Sequence, residues 1–131
     1  MANTALGRDI TLDQLREENE AVLLAMGCWA SSSMRAKGED LPGVISGIEF
    51  LYSVNTGNPM SLGRKVAVIG GGNTAMDACR CAKRVGAEEV SIIYRRTRDE
   101  MPAENIEIEE AMEEGINFIF LAAPKAVEGD G

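Results

Sequence analysis

The spacing of apolar and polar residues predicts only short, separated elements in the N-terminal part of the chain. A helix is predicted over residues 11–20 with Thr11 as its N-cap, and the apolar run AVLLAM at 21–26 predicts a buried strand. A second helix is predicted over 46–55. Before it, the polar and turn-rich segment 31–43 indicates a linker.

The C-terminal part alternates regularly between apolar strands and amphipathic helices. The predicted elements are a strand over 65–69, a helix over 73–85, a strand over 90–94, a helix that Pro102 opens and Gly115 closes, and a strand over 117–121. In the second of these helices, Ile108, Ala111 and Met112 form the predicted buried side. Strands that alternate with helices in this order imply a parallel sheet with right-handed crossovers.

Charge and composition narrow the possible functions. The net charge of −8 repels polyanions, which argues against nucleic acid and anionic membranes as partners. Acidic residues concentrate over 104–114, where we predict a solvated helix face, with a docking surface for a basic partner as the alternative. The chain lacks histidine, and Cys28, Cys79 and Cys81 are not spaced as metal ligands, so neither a metal site nor a catalytic residue is predicted.

The longest apolar runs are too short to cross a bilayer, and the N-terminus lacks the pattern of a signal peptide. A cytoplasmic protein is therefore expected.

The strongest local signal is the sequence VAVIGGGNTAMDA at residues 66–78. It fits the GxGxxG/A pattern of dinucleotide-binding turns, with Gly70, Gly72 and Ala75 at the three positions. In this pattern the first glycine permits a tight turn after the strand, and the second lets the backbone approach a pyrophosphate. The small third residue lets the helix pack close to the sheet.

The anion contacts predicted at this turn come from the start of the following helix. The N–H groups of Gly72, Asn73 and Thr74 face the anion along the helix dipole, and Thr74 can add a hydroxyl donor. The alternative is a tight turn that binds nothing. The predicted fold class is therefore α/β: a three-layer Rossmann-like NAD(P)-binding domain with a parallel sheet.

The residues after the second strand of this unit select the cofactor. Folds that bind NAD, or FAD in the same manner, place an acidic residue about 20 residues past the glycines, where it bonds the ribose hydroxyls. Here Arg95, Arg96 and Arg98 follow the strand and predict a grip on the 2′-phosphate of NADPH. Two alternatives stay open: the arginines pair with nearby acids, or Asp99 or Glu100 bonds the ribose of NADH.

The segments GGGNTAMDACR, EEVSIIYRRTRDEMPA and EEAMEEGINFIFLAAP resemble the NADPH domain of the glutamate synthase small-subunit family. Dihydropyrimidine dehydrogenase, sulfide dehydrogenase and NADH-dependent ferredoxin:NADP oxidoreductase subunits have similar domains. The segments GRDITLDQL, EAVLLAMGCW and GEDLPGVISGIEFL are similar to the stretch that leads into that domain. The resemblance therefore covers nearly the whole chain.

The resemblance implies a flavoprotein oxidoreductase in which hydride passes from NADPH to FAD on another domain, and electrons continue to iron–sulfur clusters. Residues 1–45 then lead out of an FAD domain, and residues 46–131 form the NADPH-binding domain. The cofactor-binding residues that follow from the turn and the resemblance are Gly70, Gly71, Gly72, Asn73, Thr74, Arg95, Arg96 and Arg98.

The resemblance also implies the partners, namely the FAD domain of the same protein and an iron–sulfur domain or large subunit. FAD is expected in the full-length protein only, so the isolated chain should bind NADPH without turnover. Without these partners, the apolar strand predicted at 21–26 favours self-association. The alternative function is a non-catalytic NAD(P)-binding or docking module, and the sequence does not select the final electron acceptor.

Overall fold

Residues 2–129 are described by a computed structural model. Its elements are α1 (Leu12–Glu18), α2 (Gly47–Asn55), β1 (Lys65–Ile69), α3 (Asn73–Arg84), β2 (Glu89–Tyr94), a 3-10 turn (Arg98–Glu100), α4 (Asn105–Glu113) and β3 (Asn117–Phe120). None of the helices in residues 2–129 is long and apolar enough to cross a membrane.

The three strands form a parallel sheet with β2 at its centre, which confirms the predicted α/β fold. Val68 of β1 pairs with Ile92 of β2, and Ile92 pairs with Phe118 of β3. Because side chains alternate between the two faces of a strand, these three residues point to the same face. Helices α2, α3 and α4 share one hydrophobic core with this face.

The core lies between that face and the helices. Its largest fully buried side chains are Met76 and Cys79 of α3, Ile92 of β2 and Ile108 of α4. The opposite face carries residues such as Ile119 and is largely exposed. Of the three predicted layers, residues 2–129 therefore supply the sheet and one layer of helices.

The prediction of a buried strand at 21–26 is wrong. The structure has no strand there, and Leu23, Leu24 and Met26 are exposed. A strand needs a neighbouring strand to satisfy its backbone N–H and C=O groups. Within residues 2–129, no strand pairs with this segment.

The last helix also differs from the prediction at its start. It begins at Asn105 rather than at Pro102. The Ala103 N–H donates to the Gly71 carbonyl at 3.1 Å, and the Glu104 N–H donates to the Asn73 side chain at 3.2 Å. These bonds hold the chain extended until Glu104, which is the N-cap.

The buried side of α4 is narrower than predicted. Ile108 and Ala111 are fully buried, but Met112 is exposed. Helix α4 packs against α3 at the end of the helical layer, so only one stripe of its surface is covered.

Candidate functional site

The glycine turn, residues 70–72, lies at the carboxyl end of β1 and joins it to α3. The Gly70 N–H donates to the Ile93 carbonyl at 3.1 Å, which continues the pairing of β1 with β2. Gly70 has a φ of +142°, a conformation that side-chain-bearing residues rarely adopt. The fold itself therefore requires glycine at this position.

Gly71 is required for a different reason, which is contact with Tyr94 at the end of β2. A Cβ atom at Gly71 would lie 2.6 Å from Cε2 and 2.7 Å from Cδ2 of the tyrosine ring. Such a contact is too short for the fold to accept without movement. The ring of Tyr94 therefore packs directly against the backbone of the glycine turn, a contact that the sequence pattern did not predict.

Gly72, by contrast, faces open space. It is the N-cap of α3 with an ordinary φ of −94°, and a Cβ there would meet only Cγ of Pro102, at 3.9 Å. The fold thus has room for a side chain that the sequence does not place there. A missing Cβ in front of a helix N-terminus is the feature that lets a phosphate approach the backbone.

The N–H groups behind this space are available to a ligand. Helix α3 has no side-chain cap, and the N–H groups of Gly72, Asn73 and Thr74 donate to no group of residues 2–129. Four N–H groups at the start of a helix need partners outside it, and anions satisfy them best. Gly72, Asn73 and Thr74, all predicted from the glycine pattern, therefore form an open cradle of N–H groups at the start of α3.

Two arginines lie at the same edge of the sheet as this cradle. Because β1 and β2 are parallel and Ile69 pairs with Ile93, the residues that follow each strand meet at one edge. Arg95 and Arg96 follow β2 directly and are exposed there. The structure therefore brings these two predicted phosphate ligands to the edge that carries the glycine turn.

Nearby acids partly neutralise two of the three arginines. Nη1 of Arg96 lies 3.6 Å from Oε1 of Glu100, and Nη2 of Arg98 lies 3.3 Å from Oε1 of Glu109 on α4. Arg95 forms no ion pair with the rest of the described chain. The alternative of pairing with acids therefore applies to Arg96 and Arg98, while Arg95 keeps its charge available.

The carboxylate of Glu100 already has local partners. Its Oε2 accepts the Thr97 N–H at 3.2 Å and the Thr97 hydroxyl at 3.1 Å, and these bonds cap the 3-10 turn. The bond from the Thr97 backbone, followed by the one from its side chain, lowers the pKa of Glu100, so the carboxylate is charged at neutral pH. This use of Glu100 in a turn argues against its serving as the ribose ligand of NADH.

The acidic run on α4 is paired more extensively than a solvated face would be. Arg80 of α3 contacts Glu110 at 2.7 Å and Glu114 at 2.8 Å, and Arg84 contacts Glu114 at 2.7 Å. Hydrogen bonding from Arg80 lowers the pKa of Glu114. These ion pairs join α3 to α4.

The cysteines stand apart from this site. Cys79 is fully buried, and burial raises the pKa of its thiol to about 12, while Cys28 is exposed. In the part of the chain that the structure describes, no group of His, Cys, Asp and Glu side chains could hold a metal ion.

Comparison with known proteins identifies the family. The sequence profile described as pyridine nucleotide-disulphide oxidoreductase matches residues 6–131. The chain is 48% identical over 128 residues to the NADP(+)-dependent formate dehydrogenase subunit beta of Moorella thermoacetica, with 95% of this chain and 18% of that protein covered. It is 45% identical to the NADPH-Fe(3+) oxidoreductase subunit beta of Geobacter sulfurreducens, with 95% and 19% covered.

The resemblance to the glutamate synthase small-subunit family is confirmed. The NADPH glutamate synthase small chain of Azospirillum brasilense is 37% identical over 140 residues, with 98% of this chain and 29% of that protein covered. The chain thus spans between about a fifth and a third of the length of these relatives. With its parallel α/β sheet and a family match over almost its full length, the chain belongs to the pyridine nucleotide-disulphide oxidoreductase family.

Proposed function

We propose that the chain is the NADPH-binding domain of a flavoprotein oxidoreductase of the glutamate synthase small-subunit type. In such a protein, bound NADPH supplies a hydride to FAD on another domain, and electrons continue to iron–sulfur clusters. The observation that carries the proposal is the open cradle at Gly72, with Arg95, which forms no ion pair within residues 2–129, at the same edge of the sheet.

Two parts of the site bind two different phosphate groups of NADPH. The N–H groups of Gly72, Asn73 and Thr74 bind the pyrophosphate at the N-terminus of α3, where the helix dipole favours negative charge. Arg95 and Arg96 bind the 2′-phosphate, since guanidinium groups match phosphate oxygens in bidentate pairs.

The ion pairs determine how available each arginine is to the 2′-phosphate. A phosphate must compete with Glu100 for Arg96 and with Glu109 for Arg98, whereas Arg95 has no such competitor within residues 2–129. Arg95 is therefore the principal ligand of the 2′-phosphate, and Arg98 contributes least.

The surfaces left exposed suit a domain of a larger protein. One sheet face, with Ile69 and Ile119, and the apolar segment around Leu23 and Trp29 are exposed. We assign both surfaces to contacts with the FAD domain and with an iron–sulfur domain or large subunit. Without these partners, the apolar segment favours self-association. Sedimentation at several concentrations tests this, and Trp29 fluorescence reports whether the segment forms the contact.

Titration calorimetry with NADPH tests the site through Gly72→Val. Because a Cβ at Gly72 has room in the fold, the variant should fold, but its side chain should displace the pyrophosphate and weaken binding at least roughly 100-fold. Gly63→Val is the matched control, since Gly63 is exposed and precedes β1. A folded Gly72→Val variant that binds NADPH as the wild type does would show that the glycine turn is misassigned.

A further inference from the structure

The phosphate cradle and the arginine segment, residues 95–100, lie on different loops, yet the structure connects them through one side chain. Tyr94 is the last residue of β2, and its ring packs where a Cβ of Gly71 would be. Its hydroxyl donates to the Glu100 carbonyl at 2.8 Å, at the far end of the arginine segment. The same side chain therefore contacts the turn that precedes α3 and closes the loop that carries the arginines.

Further bonds hold the arginine segment in a defined shape. The Thr97–Glu100 capping box closes the 3-10 turn from within. Beyond the turn, the Ala103 N–H donates to the Gly71 carbonyl at 3.1 Å, and so returns the chain to the glycine turn. The segment is thus fixed at its start by β2, at its end by Tyr94, and beyond its end by Gly71.

We propose that Tyr94 is a positioning residue that fixes the arginine segment relative to the glycine turn and thereby sets the preference for NADPH over NADH. This inference rests on the proposed function of the site. The pyrophosphate and the 2′-phosphate are attached to the same ribose of the ligand, so the distance between them is limited. Arginines held at a matching separation lose little conformational entropy on binding, whereas arginines on a mobile loop lose more.

Contact with the 2′-phosphate and positioning of the residues that make this contact are two separate roles. Arg95 and Arg96 contact the 2′-phosphate, whereas Tyr94 acts only through the backbone that carries them. Loss of the Tyr94 hydroxyl should therefore weaken binding of the ligand that has a 2′-phosphate and leave binding at the pyrophosphate unchanged. A purely structural tyrosine would affect both nucleotides equally.

Tyr94→Phe is the direct test, because it keeps the ring against Gly71 and removes only the hydroxyl. We expect its affinity for NADPH to fall roughly threefold to tenfold, the usual effect of one hydrogen bond, and its affinity for NADH to change less than about twofold. Tyr52→Phe is the matched control, since Tyr52 lies on the exposed side of α2 and its hydroxyl has no partner within residues 2–129. Calorimetry of the 131-residue chain with both nucleotides gives the affinity ratio.

Thr97→Val provides an independent second variant, because it removes the hydroxyl that donates to Glu100 and keeps a β-branched side chain. It should lower the NADPH to NADH affinity ratio in the same direction, and it tests whether a fixed arginine segment sets that ratio should Tyr94→Phe fail to fold. An unchanged ratio in folded Tyr94→Phe, or an equal loss for both nucleotides there, overturns the role of Tyr94. An unchanged ratio in folded Thr97→Val overturns the premise that a fixed arginine segment sets the preference. A wild-type chain with no preference for NADPH overturns the proposed function, and this inference with it.

Discussion

Two apolar segments of similar length lie in opposite environments, one buried and one exposed. Strand β2 (Glu89–Tyr94) places Ile92 fully inside the core, whereas Leu23 in segment 21–26 is 90% exposed. The strand has a neighbour on each side and shares a core with α3, while the segment pairs with no strand of residues 2–129. An apolar pattern thus favours burial, but a segment forms a strand only where a neighbouring strand pairs with its backbone N–H and C=O groups.

The largest expected effect is the contrast between one substitution in each segment. Ile92→Ala should lower the free energy of unfolding by about 2–5 kcal/mol, because it leaves a cavity in a closed core. Leu23→Ala should change it by less than about 0.5 kcal/mol, because the side chain contacts mostly solvent. Urea denaturation measures both, and a comparable loss in the two variants would show that segment 21–26 is packed inside the folded chain.

A second contrast lies within the glycine turn itself. Gly71→Ala should cost about 1–3 kcal/mol of stability, because its Cβ would lie 2.6 Å from the Tyr94 ring. Gly72→Ala should leave stability nearly unchanged, because its Cβ meets only Pro102, at 3.9 Å. Thermal unfolding distinguishes them, and equal destabilisation by both would contradict the open space in front of α3.

These glycines show how far the sequence predicts the site. The pattern of strand, GGG and helix predicted the tight turn between β1 and α3 because local chemistry fixes it: Gly70 has a positive φ, and the first N–H groups of α3 have no side-chain cap. That this turn binds a phosphate stays a prediction. The pattern also predicted which loops meet, since parallel strands end at one edge of a sheet. The three strands and α3 were predicted within a residue or two for the same reason, namely that their partners follow closely along the chain.

The features that the sequence did not predict depend on contacts between residues that lie far apart along the chain or outside the glycine pattern. The glycine pattern does not reveal that the Tyr94 ring packs on Gly71, because no spacing rule places a strand-end side chain there. The helix start at Pro102 was wrong because the Ala103 and Glu104 N–H groups bond to the glycine turn and to Asn73 instead. The strand prediction for segment 21–26 was wrong because no strand within residues 2–129 pairs with it, although its composition suits a strand.

Replacing an arginine that follows β2 tests whether this edge of the sheet binds a nucleotide or is only a charged surface. Arg95→Ala should weaken NADPH binding about tenfold, or about 1.4 kcal/mol, and leave NADH binding unchanged, because only NADPH has a 2′-phosphate. Arg16→Ala on the exposed helix α1 is the matched control. Calorimetry with both nucleotides checks this, and an equal loss for NADH would place Arg95 at the pyrophosphate instead.

The smallest expected effect concerns the ion pairs that join α3 to α4. Glu114→Gln should lower the free energy of unfolding by about 1 kcal/mol at neutral pH, because it removes the charge that Arg80 and Arg84 contact. Since Arg80 lowers the pKa of Glu114 in the folded chain, this stabilisation is complete above the ordinary value of 4.5 and is lost as the pH falls through the lowered pKa.

Denaturation of the wild type and of Glu114→Gln across acidic pH tests the direction of this pH dependence. The two curves should differ at neutral pH and converge in acid. Glu113→Gln, at an exposed neighbouring position, should match the wild type throughout. A difference that grows as the pH falls would contradict the role given to Glu114.

The central claim is that the cradle at Gly72 and the arginines after β2 together bind NADPH. Titration calorimetry of the wild-type chain with NADPH and with NADH tests it most directly, because the two ligands differ only in the 2′-phosphate. We expect saturable binding of one nucleotide per chain and an affinity for NADPH at least roughly tenfold higher than for NADH. Equal affinity for the two nucleotides, or a preference for NADH, would contradict it.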